Sequence, residues 1–489
     1  MTNVRNRIPE PIHICTCTYK TGSVSAKKAF VISLVRPTRL ESRAIQSFRP
    51  AHAYSIFGDD EQIFGYQGLE VNLTFNANDM RPNLQVKWRK QFEPTGETEA
   101  TDVVAVLKDY LPEVAFQKKK EFDDVIRKTR ADWTPPGQLA TSFTRDDTTY
   151  EVWKGSLADP AVKQLVKRIQ IFVPLLIEGG TYIPTDEPDS DRWTIFFLYE
   201  KKPVSGEPDR NSYIFNGYST VYRFFLYQMP TPPASPSQGS LTSGLEDLAL
   251  DKENFDLAQL PCRTRISQFI ILPPFQGKGL GPKFYNIIFQ EYIHHPQTVE
   301  ITVEDPNEAF DDMRDIADLH FLRKQPDFNA LHIDTSIVIP GKNGVAPSNV
   351  VDRAAADAVR GKAKIAPRQF ARVLEMHLMS KLADSVRPCI EPDTKHAKPS
   401  KLQEHEYRLW QLMVKQRVYR HNKDALGELE IPERITKLNE TVASVAFDFA
   451  RLLVKAERYQ DDATSSANGN GKRKAGEDAE EVAPKKQKV

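Results

Sequence analysis

"ISQFIILPPFQGKGLGPKFYNIIFQEY", residues 266–292, joins an apolar run to an amphipathic one through three closely spaced glycines. The apolar run stops at Pro273-Pro274, and Gly277, Gly279 and Gly281 alternate with other residues before the amphipathic stretch begins. Strand, glycine loop, helix is the order of a phosphate cradle. Glycines permit the tight turn, backbone N–H groups come close to the ligand's oxygens, and the helix adds a positive N-terminal end. The spacing rules out two such cradles. A dinucleotide loop needs G-x-G-x-x-G, yet the third position falls on Pro282 counting from Gly277 and on Phe284 counting from Gly279. A P-loop needs a Gly-Lys pair followed by Ser or Thr, and Lys278 is followed by Gly279. The pattern that fits is Q-x-x-G-x-G, filled by Gln276, Gly279 and Gly281, with Lys278, Leu280 and Pro282 between and after them. Pro282 in the first helical turn costs little, because the N–H it lacks would have no helical acceptor.

The rest of the chain bounds what such a cradle serves. Its 489 residues allow two or three domains, and 40% hydrophobic with 27% charged content suits a soluble globular protein. No apolar run approaches the length of a membrane span, and "MTNVRNRIPEPIHICTCTY" lacks the apolar core of a signal peptide. Four scattered cysteines, Cys15, Cys17, Cys262 and Cys389, make no disulfide framework and point to a reducing compartment. "HICTC" sets His13, Cys15 and Cys17 on one face of a strand, but zinc needs a fourth ligand and wider spacing, so no metal is expected. The 66 basic and 66 acidic residues balance, which argues against a body built to grip nucleic acid. The end of the chain carries two basic clusters, Lys472-Arg473-Lys474 and Lys485-Lys486-Gln487-Lys488, in a small, polar, aperiodic setting. This predicts a disordered tail over 461–489 with the spacing of a bipartite nuclear import signal. A solvated charged tail has the same composition.

Three zones follow from periodicity. Residues 26–135 mix strands such as "AFVISLV" and "LEVNLTF" with helices, after an atypical segment 1–25. Residues 136–320 are richest in strands ("YEVWKG", "WTIFFLYE", "YSTVYRFFLY", "ISQFIIL", "VEITVE"), interleaved with predicted helices at 161–176 and 280–292. That alternation predicts a mixed α/β (α+β) layered fold, with 230–256 as a Pro- and Ser-rich surface loop. Residues 321–460 read as largely helical.

The Q-x-x-G-x-G stretch resembles the coenzyme A motif of the GNAT acetyltransferase superfamily. Taken together, "RISQFIILPPFQGKGLG", "EITVEDPNEAFDDMRD" and "SIFGDDEQIFGYQGL" resemble the catalytic subunit family of type B histone acetyltransferases, over residues 28 to 460. The first 25 residues and the long loop near 230 depart from that pattern. The resemblance implies a GNAT acyl-CoA N-acyltransferase fold with an N-terminal mixed domain and a helical C-terminal extension. It implies acetyl-CoA as co-substrate, with the pantetheine arm along Phe269, Ile270 and Ile271 and the diphosphate at residues 276–282. Asn307 and Phe310 would border the sulfur end, with Arg314 one turn further on.

The chemistry requires a base, because a lysine amine of pKa ~10.4 is mostly protonated at neutral pH and only the neutral amine attacks a thioester. Glu304 ends the strand "EITVE", where α/β folds tend to place ligands, and is the first choice. Asp305 is adjacent but points to the other face if the strand stays regular. Glu178 follows the apolar run "VPLLI", where desolvation would suit a base, and the resemblance also implies a catalytic contribution at that position. Only Cys262 lies near these motifs, so direct transfer in a ternary complex is expected rather than an acetyl-cysteine, with the backbone N–H of Ile270 or Ile271 as oxyanion donor.

The acceptor is expected to be a basic peptide. Asp59, Asp60 and Glu61 form an acidic turn that would attract one; a solvated turn has the same composition. The resemblance implies the N-terminal tail of free histone H-four as substrate before chromatin assembly, with Phe225, Leu226 and Tyr227 as an apolar wall. It also implies a WD-repeat histone-binding partner and residence in nucleus and cytoplasm. Two other readings fit the same residues: a GNAT enzyme for a small amine or another protein, and a histone-binding module without turnover.

Overall fold

The computed structural model describes residues 22–37, 42–130, 132–204, 207–226, 260–341, 347, 349–390 and 397–468. His13, Cys15, Cys17, Tyr227, the 230–256 loop and the two basic clusters near the end lie outside the described residues. The chain divides into two compact units, Met1–Asn307 and Glu308–Val489. The sequence reading placed boundaries at 135 and 320; the first of these falls inside the first unit.

The first unit contains a four-stranded sheet of β1 (Phe30–Pro37), β2 (Ser42–Phe48), β3 (Glu70–Asn76) and β4 (Pro82–Lys87), in spatial order β2-β1-β3-β4. Helix α1 (Lys119–Arg127) buries Phe122 and Ile126 against Val35 of β1. The second sheet holds β5 (Gln138–Arg145), β6 (Thr148–Ser156), β7 (Trp193–Val204), β8 (Glu207–Phe225), β9 (Cys262–Ile271) and β10 (Thr298–Val303), in the order β10-β9-β8-β7-β6-β5. Neighbours are antiparallel except β9 and β10, which run parallel. A parallel pair needs a crossover, and α4 (Leu280–Ile293) supplies it.

Both faces of this sheet are covered. Lys154, Phe196, Ser219 and Phe269 are successive cross-strand partners on one face. There Phe269 meets Phe284 of α4 at 5.3 Å, Phe196 meets Tyr292 at 6.1 Å, and Lys154 pairs with Glu291. The next row begins at Gly155, where an added β-carbon would lie 2.5 Å from Val162 of α2 (Pro160–Ile169), so α2 covers the opposite face. Two covered faces explain why Ile195, Phe196, Phe197, Leu198 and Tyr199 are all fully buried in an unbroken apolar run.

The predicted helix 161–176 is two helices, α2 and α3 (Phe172–Leu176). Pro174 is the reason. In a continuous helix it would remove one hydrogen bond and its ring would meet the carbonyl of Gln170, whereas the first turn of a new helix tolerates it. Asp159 caps α2 through the N–H groups of Ala161 (2.7 Å) and Val162 (3.2 Å).

The turn after β3 ties the two sheets together. Phe215 donates its N–H to Ala77 O (2.8 Å), Tyr199 its hydroxyl to Asn78 O (3.0 Å), and Arg168 its guanidinium to Asp79 O (2.7 Å).

The second unit contains four long helices, α5 (Glu308–Arg323), α6 (Pro367–Lys381), α7 (Lys401–His421) and α8 (Ile431–Asn468). Ser400 and Gln403 form a reciprocal capping box at the start of α7. Trp410 is fully buried and donates its indole N–H to Glu375 O at 2.8 Å. The Glu375 carboxylate is buried too and pairs with Arg417 at 2.8 Å. Burial pushes the Glu375 carboxyl above its usual range, and Arg417 pulls it back. No helix among the described residues is long and apolar enough to cross a membrane.

Arg417→Leu leaves the buried Glu375 unpaired and is expected to destabilise the chain by about 3–5 kcal/mol at neutral pH, read from urea unfolding. A carboxyl raised in the folded state loses stability as pH rises through its folded pKa. The defect should therefore shrink as pH falls and Glu375 takes up a proton; a defect independent of pH would show that lost packing, not the charge, dominates.

Candidate active site

The two edges of β9 differ. Against β8 it is paired along its whole length, from Phe225↔Cys262 to Gly217↔Ile271. Against β10 the last ladder pair is Ile266↔Val303, followed by one hydrogen bond from Glu304 N–H to Ile266 O at 2.9 Å. From Ser267 to Ile271 that edge carries no strand among the described residues. The phase of the ladder fixes which amides it exposes. Leu272 donates to Asn216 O (2.8 Å), and a β-carbon on Gly217 would lie 2.2 Å from Ile270 O, so Ile270 directs its peptide groups towards β8. By alternation, Phe269 and Ile271 direct theirs to the open edge. The choice between Ile270 and Ile271 as donor thus leans to Ile271.

The glycine loop closes the upper end of this edge. Gln276 folds back and donates its side-chain amide to Ile271 O at 2.7 Å, so its side chain shapes the loop. Gly277 (φ 73°) and Gly279 (φ 68°) are left-handed, which glycine adopts without strain. Gly279 is the N-cap of α4, and no side chain caps that end. The amides at the start of α4, Pro282 excepted, lack helical acceptors and converge as an anion nest. A β-carbon on Gly279 would lie 2.3 Å from Arg145 Nη1, whereas one on Gly277 would meet nothing within 4 Å. Lys278 and Lys283 lie over the rings of Phe275 (5.6 Å) and Phe143 (5.4 Å). Leu280 is buried as the anchor of the helix.

Glu304 is exposed just beyond β10. Ser267 donates its hydroxyl to one carboxylate oxygen, and Arg265 lies 3.6 Å from the other while stacking at 4.4 Å over Phe224. Asp305 is exposed at φ 34°. The strand therefore does not stay regular to Asp305, and the alternation that would have turned it to the opposite face does not apply. Asp tolerates the left-handed region better than most residues, and Pro306 disfavours the helical region just before it.

Glu178 is exposed, contrary to the desolvation expected from its apolar neighbours. That run is buried as α3, which ends at Leu176, and Gly179 at φ 67° turns the chain outward. The same loop is nevertheless tied to β9, because Gln268 donates its side-chain amide to Thr181 O at 2.7 Å. It is also tied to the segment before the acidic turn. Tyr54 accepts from Gly179 N–H, Tyr110 donates to Ser55 O (2.7 Å), and Tyr182 donates to Tyr110 O (2.9 Å). Burial holds the Tyr182 hydroxyl far above its ordinary range, so it remains a donor.

Within the turn, Asp59 and Asp60 are exposed. Glu61 is committed: its carboxylate pairs with Lys27 and accepts from Ala53 N–H at 2.7 Å, and the Lys27 contact holds it below the usual range. Two carboxylates, not three, face outward from this turn.

Phe225 and Leu226 stand at the far end of β9, opposite Cys262. The Phe225 ring lies beneath the guanidinium groups of Arg192 (5.5 Å) and Arg223 (5.6 Å). Those cations make it a poorer seat for a basic peptide than the acidic turn. Cys262 is buried at that same end, about 30 Å along the strand from Ile271. Asn307 is exposed at the end of the first unit. Phe310 and Arg314 belong to the second unit, where Arg314 is buried and pairs with Asp318 at 3.5 Å. Among the described residues no group of three His, Cys, Asp or Glu is placed to hold a metal ion. Ser267, Arg265, Tyr54 and Arg145 were not among the predicted site residues. Ser267 and Arg265 sit inside the quoted motif, but only their partners reveal them.

Residues 22–178 match the family described as histone acetyl transferase HAT1 N-terminus, and residues 341–383 match fungal HAT1, C-terminal. The histone acetyltransferase type B catalytic subunit of Neurospora crassa is 51% identical over 484 residues, covering 93% of this chain and 94% of that protein. Those of Gibberella zeae and Pyricularia oryzae are 50% and 49% identical over 480 and 459 residues, covering 95% and 93% of this chain and 97% and 95% of theirs. The chain belongs to the type B histone acetyltransferase catalytic subunit family. This type B histone acetyltransferase is therefore an enzyme, a transferase of acetyl groups to histone, and the activity implies acetyl-CoA as co-substrate. The cradle fits such a ligand. It offers convergent amides and cations, and at Gly279 no room for a side chain.

Gly279→Asp sets a carboxylate beside Arg145 and inside the nest, where it competes with a diphosphate. Acetyl-CoA binding to the folded variant is expected to fall at least tenfold, ~1.4 kcal/mol, by titration calorimetry; unchanged affinity removes this loop from the site.

Proposed function

We propose that this enzyme acetylates lysines near the N-terminus of free histone H-four by direct transfer, with Glu304 as general base. One observation supports the reading above the others. A continuous set of contacts joins the acidic turn, through Tyr54 and Gly179, to the loop carrying Glu178, and through Thr181 and Gln268 to β9 beside Ser267 and Glu304. A tail drawn to Asp59 and Asp60 has a route from there towards the open edge of β9. Bound at that edge, the co-substrate supplies an activated acetyl thioester. Ser267 and Arg265 orient the Glu304 carboxylate. Glu304, directly or through one water, removes the ammonium proton so that the amine can attack. Ile271 N–H is free to donate to an oxygen gaining negative charge. Phe269 and Ile271 hold the arm of the co-substrate along the edge, and residues 276–282 hold its phosphates.

Glu178 shares the proton's path in this proposal by position and not by burial. Asn307 is proposed to border the pantetheine end, as the family resemblance implies. A WD-repeat histone-binding subunit is the proposed partner, and chromatin assembly the proposed setting. Nucleus and cytoplasm are the proposed locations, on the strength of the basic clusters at 472–474 and 485–488. Family membership sets aside the reading as a module without turnover.

Glu304→Gln keeps size and hydrogen bonding but cannot take the proton. Turnover is expected to fall roughly 10²–10⁴-fold with acetyl-CoA affinity nearly unchanged. The defect should narrow at high pH, where the lysine loses its proton unaided. Full turnover in Glu304→Gln with a dead Glu178→Gln would move the base to the loop after α3.

Asp59→Asn with Asp60→Asn is expected to raise the Michaelis constant for a histone H-four tail peptide, less so at high salt, and to leave coenzyme affinity alone. Peptide kinetics that do not move at any ionic strength make the turn a bystander.

A further inference from the structure

We propose that Arg145, from the β5–β6 hairpin, is a ligand of the coenzyme's diphosphate at the Gly279 cradle; this rests on the reading of that loop as a coenzyme site. Arg145 is the last residue of β5, remote in sequence from the glycine loop, and its guanidinium stands directly over Gly279, close enough to exclude a β-carbon there.

The electrostatics of this position are unfavourable by themselves. A guanidinium can only donate hydrogen bonds, and the amides at the start of α4 can only donate too. The helix end is positive, and Lys278 and Lys283 add two more cations nearby. Among the described residues Arg145 has one acid within reach, Asp146, at 3.7 Å; that carboxylate is 90% exposed, so the pair contributes little. A cluster made only of donors and cations is completed by a multivalent anion between them. A diphosphate has the charge for it, and a guanidinium fork has the geometry to receive two of its oxygens.

The hairpin is built to hold Arg145 there. Arg145 pairs with Thr148 across a two-residue turn, and Asp146 (φ 47°) and Asp147 (φ 59°) are both left-handed, the backbone of a tight type I′ hairpin. Phe143, two residues back, stacks on Tyr150 at 5.3 Å and carries the Lys283 ammonium of α4 over its ring. Lys154, further along β6, pairs with Glu291 of the same helix. The hairpin is therefore fastened at two points to the helix whose N-terminus forms the cradle.

The test is titration calorimetry of the full chain with coenzyme A and with dephospho-coenzyme A, which lacks the 3′-phosphate. Arg145→Gln is expected to lose about tenfold in affinity for both, by a factor that shrinks with added salt, and Arg145→Lys to recover part of it. Unchanged affinity for both overturns the proposal. A loss confined to coenzyme A overturns it too, because the contact then belongs to the 3′-phosphate. Gly279→Asp run alongside separates the two levels: if that variant also binds normally, the cradle reading itself has failed. If it alone fails to bind, only the assignment of Arg145 is wrong.

Discussion

Strand β9 must pair with β8 along its whole length and with β10 along only half of it, and the proposed site is built on that inequality. Full pairing on one side fixes the strand in the sheet, with Gly217 allowing the close approach of Ile270 O. Early departure on the other side leaves the Ile271 N–H facing outward. An extended ligand can add there as a strand would. Had β10 continued in register, it would have covered that edge. The left-handed turn at Asp305 and the proline after it end the pairing.

The remaining parts of the site are placed by what this edge demands. At the upper end of β9 the chain must leave the sheet, turn and start α4, and the two left-handed glycines let it do so with the helix amides converging on open space. At the point where β10 departs, Glu304 is held by Ser267 and Arg265 instead of by strand pairing. Gln268, next along β9, reaches the other way and fixes the loop that carries Glu178. Tyr54 and Tyr110 then bind that loop to the acidic turn. The groups proposed for catalysis and acceptor binding come from distant parts of the chain and thus share one frame.

Cations and carboxylates are segregated along this frame. Arg145, Lys278 and Lys283 gather at the cradle, whereas Asp59 and Asp60 face outward from the acidic turn. In the proposed function, an anionic co-substrate and a cationic peptide are drawn to different parts of one unit. A chain with zero net charge can do this because what matters is the local field.

By itself, the sequence determined the elements and the chemistry of the cradle. Alternation and apolar runs marked the strands, and the spacing of Gln276, Gly279 and Gly281 excluded both dinucleotide and P-loop geometry, because such signals are local in the chain. The place of Glu304 at the end of a short strand was legible for the same reason. Only the tertiary structure decided the rest. It split the helix at Pro174, exposed Glu178, and committed Glu61 to Lys27. It also brought Ser267 and Arg265 onto Glu304 and Arg145 onto Gly279. Burial and pairing between residues far apart in sequence arise when strands and loops close on one another. A linear pattern carries propensity and periodicity but not that closure.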